Sequence, residues 1–477
     1  MNTDDLWPTL DEAEARVLEI QTKLHRWATD APDRRFDDVY NLVYNPAVLL
    51  VAWHRVRRNR GARSAGVDGL RPKDIPPGQS LFLLRLHLEL KARTFEPLPA
   101  RERRIPKANG KVRSLGIQTA RDRVVQAALK LILEPVFEAD FKPCSYGFRP
   151  RRRAQDAIAE IHMLASNSYE WVLEGDIKAC FDEISHSALL DRVRKRVGDK
   201  RVLALVKAFL KAGVLAEDDI LRDTRTGTPQ GGILSPLLAN IALSVLDEHV
   251  TAAWATFGKN NQARSYRRLK GLPTYKITRY ADDFVIMVAG SREHAEALRD
   301  EIAVVLATVG LRLSEEKTTV VHIDEGFDFL GFRIQRQRQR GSNKRYVYTW
   351  PSRKSLTNVM AKVKAVTRQG TNQPLAELLR QLNAVLRGWT RHFRHGVSKT
   401  TFAYLHQYTW ERVIAWLRRK HRRITWKQLR RRYLPRWWPT DGDTAMFDAR
   451  AVPVTRYRYR GTAIPTPWTP APARAAR

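Results

Sequence analysis

One stretch constrains this chain more than any other: Ile277-Thr-Arg-Tyr280-Ala-Asp282-Asp283-Phe-Val-Ile-Met287. Two short β-favouring runs flank a polar tip, so the pattern predicts strand, tight turn, strand. The tip would hold two adjacent carboxylates in a chain that is otherwise strongly basic. Adjacent carboxylates repel, and a site that keeps both ionised usually supplies a cation. Magnesium suits carboxylate oxygen and uses only one or two carboxylates, leaving its other positions to water and phosphate. Alone, an acidic hairpin turn explains such a tip equally well.

A third carboxylate shifts that balance. It lies in Trp171-Val-Leu-Glu-Gly-Asp176-Ile-Lys-Ala-Cys-Phe181-Asp182. Trp171 to Leu173 read as a strand, and a capped helix is expected from Ser185. Asp176 then sits where a strand ends, a position from which its side chain can face a neighbouring hairpin tip. Metals held by such a cluster lower the pKa of an attacking hydroxyl and stabilise a leaving pyrophosphate.

The net charge of +34 over 477 residues points to a polyanionic partner, and nucleic acid is the first choice. With 43% hydrophobic residues the chain is a folded protein and not a basic tail. Its two cysteines, Cys144 and Cys180, exclude a four-cysteine zinc module and a disulfide framework. A reducing cytoplasm, in a bacterium, fits that usage. The start has no signal-peptide core, the longest clean apolar run, 47–53, is too short to span a bilayer, and no membrane partner is expected.

Along the chain, Thr9-Leu-Asp-Glu12 reads as a capping box opening an amphipathic helix. The run from Arg55 through Arg60 and Arg63 to Gly69 sets five arginines among glycines, as a loop approaching phosphates would. Asn109-Gly110 between strand-like runs predicts a hairpin with Lys107 and Arg113 on its two strands. A planar fork and a point charge so placed could clamp a triphosphate. A helix is expected from Ala120 to Phe137.

Ser145-Tyr-Gly-Phe148-Arg149-Pro-Arg151-Arg152-Arg153 mixes rings, glycine and arginines in a way that suits contact with bases and backbone. Gly227-Thr-Pro-Gln230-Gly-Gly predicts a turn-rich entry into an apolar helix, where small residues let a ligand come close and Gln230 offers its amide. Phe327 to Phe332 alternates as one strand under the site would. A basic hairpin is expected around Gly341, then a helix after Pro374 with Leu378, Leu382 and Leu386 on one face, then a helix over 399–420. From Arg418 to Arg436 there are ten Lys or Arg and no acid, Arg456-Tyr-Arg-Tyr-Arg460 alternates charge and ring, and the proline-rich end is expected to be loose.

Taken in order, Ile-Pro-Lys107, Ser145-Tyr-Gly-Phe-Arg-Pro, Asp176-Ile-Lys-Ala-Cys-Phe-Asp, Thr228-Pro-Gln-Gly-Gly-Ile-Leu-Ser-Pro-Leu-Leu-Ala-Asn240, Tyr280-Ala-Asp-Asp and Phe329-Leu-Gly-Phe resemble a group II intron-encoded reverse transcriptase, or maturase, from about 36 to 420. The resemblance implies an α+β right-hand polymerase: fingers, a palm with an antiparallel sheet, a helical thumb or maturase domain, and a small basic C-terminal extension. Its blocks would be 1–70 (helical, Arg-rich extension of the fingers), 71–345 (fingers and palm), 346–420 (thumb) and 421–477 (basic extension, a candidate for DNA binding).

The same resemblance implies residue roles. Asp176, Asp282 and Asp283 would form the catalytic set and, with the Ile177 carbonyl, hold two Mg2+ ions. Lys107 and Arg113 would hold the triphosphate of a dNTP. Phe181 would exclude a ribose 2′-hydroxyl, Gln230 would line the nucleotide pocket, and Lys317 would give a proton to pyrophosphate. Arg60, Arg63, Arg149, Arg151, Arg152, Arg153, Arg430, Arg431 and Arg432 are the expected nucleic-acid contacts. Partners would be group II intron RNA, an RNA template with a DNA primer, and target DNA. Two cysteines are too few for the endonuclease domain that ends many relatives, so no second-strand cleavage is expected.

The implied function is RNA-directed DNA synthesis by two-metal nucleotidyl transfer, with intron binding that assists splicing and retrohoming. Two alternatives stand beside it: a splicing cofactor without polymerase activity, and a defence-associated or diversity-generating reverse transcriptase. The acidic residues argue against the first, and the long helical segment after Trp350 against the second. For the basic run, replacing Arg430, Arg431 and Arg432 with Ala is expected to weaken nucleic-acid binding. A titration across salt concentrations should show the log-affinity slope flattening by up to about two units. An unchanged slope would mean that the run binds nothing.

Overall fold

Thr9 opens the first helix, Leu10–Asp30, through a closed capping box with Glu12. In this computed structural model the described residues are 7–76, 80–106, 110, 112–218, 220–339, 341–461 and 464–469. They fall into two compact units: Met1–Arg153 with Leu173–Val320 and Thr462–Arg477, and Ala154–Val172 with Val321–Gly461. These units interleave along the chain.

In the first unit, Leu10–Asp30 and Pro46–Arg58 pack on Ala120–Asp140. That last helix buries residues all round, among them Val124, Leu129, Ile132 and Val136, as a central helix must. Pro135 lies inside it and has no N–H to give the Leu131 carbonyl. The Gln21 amide donates to that carbonyl instead, at 2.8 Å, so the neighbouring helix satisfies the group that proline orphans.

The expected hairpin is present. Thr274–Tyr280 and Asp283–Ala289 pair antiparallel with Tyr280 opposite Asp283. Strand Asp283–Ala289 is the inner one, flanked by Trp171–Asp176, with Thr319–His322 at the far edge of the sheet. Phe284 to Ala289 are all buried, which is why this run is continuously apolar and does not alternate. Gly175 is required where Phe284 crosses it: a Cβ there would lie 2.0 Å from the ring. A second sheet pairs Ala100–Pro106 with Val112–Ile117 and sets Arg113 opposite Ile105, as Asn109-Gly110 foretold. Lys107 and Asn109 themselves lie outside the described residues.

The second unit joins a three-stranded sheet, in the order Arg345–Pro351, Phe332–Arg338, Phe327–Phe329, to helices Arg353–Arg368, Leu375–Phe393 and Lys399–Lys420. Phe327 to Phe332 is therefore not one strand. It turns at Leu330 and Gly331, both with positive φ, into a hairpin of this separate sheet. Leu378, Leu382, Leu386 and Trp416 form the helical core. Leu429, Tyr433 and Met446 enter that same core, so the apolar side of the basic extension is structural. Asn383 fixes it further, donating to the Ala445 carbonyl at 2.8 Å and accepting from the Phe447 amide at 2.7 Å.

The loose end expected at the C-terminus is corrected for 464–469. Trp468 is 5% exposed and donates to Gln21 Oε1 at 3.2 Å, its ring against His25, within the first unit. Burying an indole with its N–H satisfied outweighs the prolines that suggested disorder. Among the described residues no helix is long and apolar enough to cross a membrane.

Candidate active site

Asp176 and Asp282 line one cavity of about 1140 Å³ in the first unit, together with Ile177, Arg113, Phe181, Gln230 and Lys317. Local backbone pairing explains each placement. Ile177 bridges Leu313, Lys178 N–H donates to the Arg312 carbonyl at 2.9 Å, and Ser314 N–H to the Asp176 carbonyl at 2.8 Å. The chain then turns at Ser314 and brings Lys317 Nζ to 2.8 Å from Asp176 Oδ2. That hydrogen bond raises the ammonium's pKa above the usual lysine range. Partial burial opposes it, and the charges of Asp176 and Asp283 add to it.

The three aspartates do not close into one cluster. Asp282 is half-buried in the cavity wall, whereas Asp283 is exposed at the strand start and does not line the cavity. Among the described residues no group of three His, Cys, Asp or Glu is arranged to hold a metal. A pair of carboxylates with a buried backbone turn still suits magnesium, which takes one or two carboxylates and leaves room for phosphate. The ammonium seated on Asp176 shows that this carboxylate already accepts a cationic partner. Cys180, on the same cavity, is buried; that burial, and then the charge of Asp282, push its thiol up to about 12.

Across the cavity Gln230 bridges two elements. Its Oε1 accepts from Arg113 Nε at 3.0 Å and its Nε2 donates to Asp182 Oδ2 at 3.0 Å. The loop before it presses on the Phe181 turn, with Thr228 N–H on the Phe181 carbonyl at 2.6 Å. Gly227 makes this approach possible, since a Cβ there would lie 2.5 Å from that oxygen and φ is +80°. Phe181 is half-buried, edge-on to the exposed ring of Phe148.

The hairpin tip is held from behind by residues to which sequence reasoning gave no role. Arg279 is wholly buried, and both Asp247 oxygens accept from it, at 2.8 and 2.5 Å. It also donates to Asn240 Oδ1 at 2.9 Å, the Ala281 carbonyl at 2.9 Å and Ser145 Oγ at 2.8 Å. Burial alone would lower its pKa; the Asp247 charge and hydrogen bond reverse this, and the net direction is up. Ala281, between Tyr280 and Asp282, takes a left-handed φ of 60°. Gly147 passes so close that a Cβ would fall 2.2 Å from the Ala281 nitrogen. The signal available in the sequence was Asp247, which with the adjacent Glu248 makes up the acids of an otherwise apolar helix and falls among Leu243, Leu246 and Val250.

The Ser145–Arg153 segment is thus partly a brace. Contact of Arg149 with nucleic acid is corrected: its side chain is 2% exposed and bonds both Glu138 oxygens, at 2.9 and 2.8 Å. A buried guanidinium needs such a partner, and Glu138 supplies it. Arg152 is likewise nearly buried, beside Glu138 and donating to the Pro143 carbonyl. Arg151 and Arg153 are exposed. Arg60 and Arg63 are exposed on a loop that Arg123 pins through the Gly61 and Ser64 carbonyls, at 2.8 and 2.9 Å. Arg430, Arg431 and Arg432 are exposed on helix Trp426–Tyr433, with Arg430 4.5 Å from the Trp437 ring centre.

Comparison with known proteins places the chain in a family. Residues 105–334 match the reverse transcriptase (RNA-dependent DNA polymerase) family, and 356–434 the group II intron, maturase-specific domain. Protein YkfC of Escherichia coli is 36% identical over 373 residues, 73% of this chain and 97% of that protein. The group II intron-encoded protein LtrA of Lactococcus lactis is 33% identical over 379 residues, 69% of this chain. The chain belongs to the group II intron-encoded reverse transcriptases. It spans 61% of LtrA's own length. A 91 kDa protein in a cob intron of Schizosaccharomyces pombe is 30% identical over 321 residues, 59% of this chain and 39% of that protein. The chain therefore carries the maturase-specific match C-terminal to the reverse transcriptase match.

The buried pair generates a measurable expectation. Arg279→Met leaves the Asp247 charge unpaired in the core and should destabilise the fold by about 3–5 kcal/mol. Urea unfolding measures it. Adding Asp247→Asn should recover part of the loss, and a single-variant loss below about 1 kcal/mol would contradict the holding role.

Proposed function

We propose that this chain is an RNA-directed DNA polymerase that also binds its own group II intron RNA, assisting splicing and retrohoming. The observation that carries the polymerase reading is the single cavity lined by Asp176, Asp282, Arg113, Gln230, Phe181 and Lys317. Family membership supports the intron reading. In right-hand terms, 71–345 would carry fingers and palm and 346–420 the thumb, with 1–70 extending the fingers and 421–477 adding basic surface.

Divalent cations, which reverse transcriptases generally use and here would be two Mg2+, would be held by Asp176, Asp282 and the Ile177 carbonyl; they supply Lewis acidity to the attacking hydroxyl and the leaving phosphate. Asp283, which does not line the cavity, adds charge that acts on Lys317. Arg113, with Lys107, would grip the triphosphate, and the bond from Arg113 to Gln230 orients the fork that does so. Lys317, kept protonated by Asp176, is the group able to give a proton to departing pyrophosphate. Phe181 would stand against the sugar, fixed by the Gly227 loop on its backbone.

Asp282→Asn should abolish DNA synthesis and leave intron binding and assisted splicing nearly intact. Metal-held chemistry depends on that carboxylate, whereas RNA affinity is spread over a basic surface. Primer extension and splicing measured on one preparation decide this, and an equal loss of both would defeat the separation. Phe181→Ala should admit ribonucleotides, because discrimination by a ring is steric. If the variant still refuses them while using deoxynucleotides well, Phe181 serves packing alone.

A further inference from the structure

The Arg456–Arg460 segment takes no part in the site above. Tyr457 Oη donates to Asp156 Oδ1 at 2.9 Å, and Arg460 grips both Asp156 oxygens at 2.8 and 2.7 Å. Tyr459 Oη donates to Glu160 Oε1 at 3.4 Å. The Asp156 side chain is only 2% exposed, so a buried carboxylate is the anchor, and removing it from water is tolerable because these donors replace water. The bonds strap the segment to helix Ala154–Ala165, within the second unit.

Strap, helix and strand Arg345–Pro351 line a half-open cavity of about 830 Å³, the size of a small-molecule site. Its apolar lining includes Ile158, Met163, Phe332 and Val347, and three tyrosines, Tyr348, Tyr457 and Tyr459, line it as well. Arg456 and Arg458 are exposed at its edge, and neither forms an ion pair among the described residues. None of the described residues lining it is acidic.

We propose that this cavity receives an unpaired base from a single-stranded RNA segment, with Arg456 and Arg458 taking the flanking phosphates. The inference rests on the RNA-binding reading above and adds a site to it. Every base has a flat π-face, so tyrosine-lined apolar space accepts one without reading its sequence. Guanidinium forks match phosphate geometry, and the missing carboxylates leave both forks available to an anion. An acidic peptide would meet the arginines but has no flat face for the rings.

The test uses the full chain and a short single-stranded oligoribonucleotide carrying one 4-thiouridine. Ala159→Trp, at a partly exposed wall position, should fill the cavity. Binding should weaken about tenfold, and photocrosslinking to the cavity peptides around Met163 and Tyr348 should disappear. Arg456→Gln with Arg458→Gln should flatten the log-affinity against log-salt slope by about 1.4, two lost contacts at about 0.7 each. A folded Ala159→Trp that binds and crosslinks like the parent overturns the cavity and leaves the RNA reading standing. If that variant does not fold, an unchanged slope in the arginine pair overturns the proposal alone. Failure of the parent to bind the oligomer removes the RNA reading and this site together, and equal competition by polyglutamate shows a peptide groove instead.

Discussion

A buried ion pair between Arg279 and Asp247 orients the acidic hairpin, and the placement of Asp282 in the cavity wall depends on that orientation. All five N–H donors of the guanidinium are used, on Asp247, Asn240, Ser145 and the Ala281 carbonyl. Replacing such a pair by apolar residues is often neutral or favourable for stability, so its presence here argues for direction over strength. The guanidinium touches the helix that follows the Gly227 loop, the Ser145 segment and the hairpin tip at once. Three segments distant in sequence thereby share one reference point. A left-handed Ala281 is tolerable because its carbonyl is held and its nitrogen is packed by Gly147.

In front of this brace, charge balance shapes the cavity. Asp176 takes Lys317, Asp182 takes the Gln230 amide, and Arg113 bonds the same amide from its other side. The wall is therefore a chain of donors and acceptors that begins at a carboxylate and ends at a guanidinium. A nucleotide entering it would meet anions on one side and a cation on the other. Close backbone approaches at Gly175 and Gly227 hold these side chains at short range without added bulk.

Much of this was legible from the chain alone. The hairpin at Asp282, the strand ending at Asp176, the Asn109-Gly110 register and the leucine face of the helix after Pro374 all follow from local patterns, and local physics decides them. What escaped depended on partners far along the chain. Arg149 stands in an arginine-rich run and looks like its neighbours, yet Glu138 withdraws it into the core. The Phe327–Phe332 alternation gave no warning that Leu330 and Gly331 would turn back on themselves. Trp468 lies among prolines, and only the approach of Gln21 and His25 explains its burial. Arg279 was visible as a letter beside the tip, but its role required Asp247 on a helix whose packing no local pattern specifies.

The interleaving of the two compact units has its own consequence. The chain leaves the first unit after Arg153, returns at Leu173, leaves again after Val320 and comes back at Thr462. The two modules therefore cannot be shuffled as beads on a string. A gene fusion or a premature stop that separates the maturase-matched residues from the rest would also strip them of Ala154–Ala165, the helix to which their own tail is strapped. Topology thus ties the two matched stretches together: helix Ala154–Ala165 falls inside the reverse transcriptase match, so the second unit is whole only when both stretches stay on one chain.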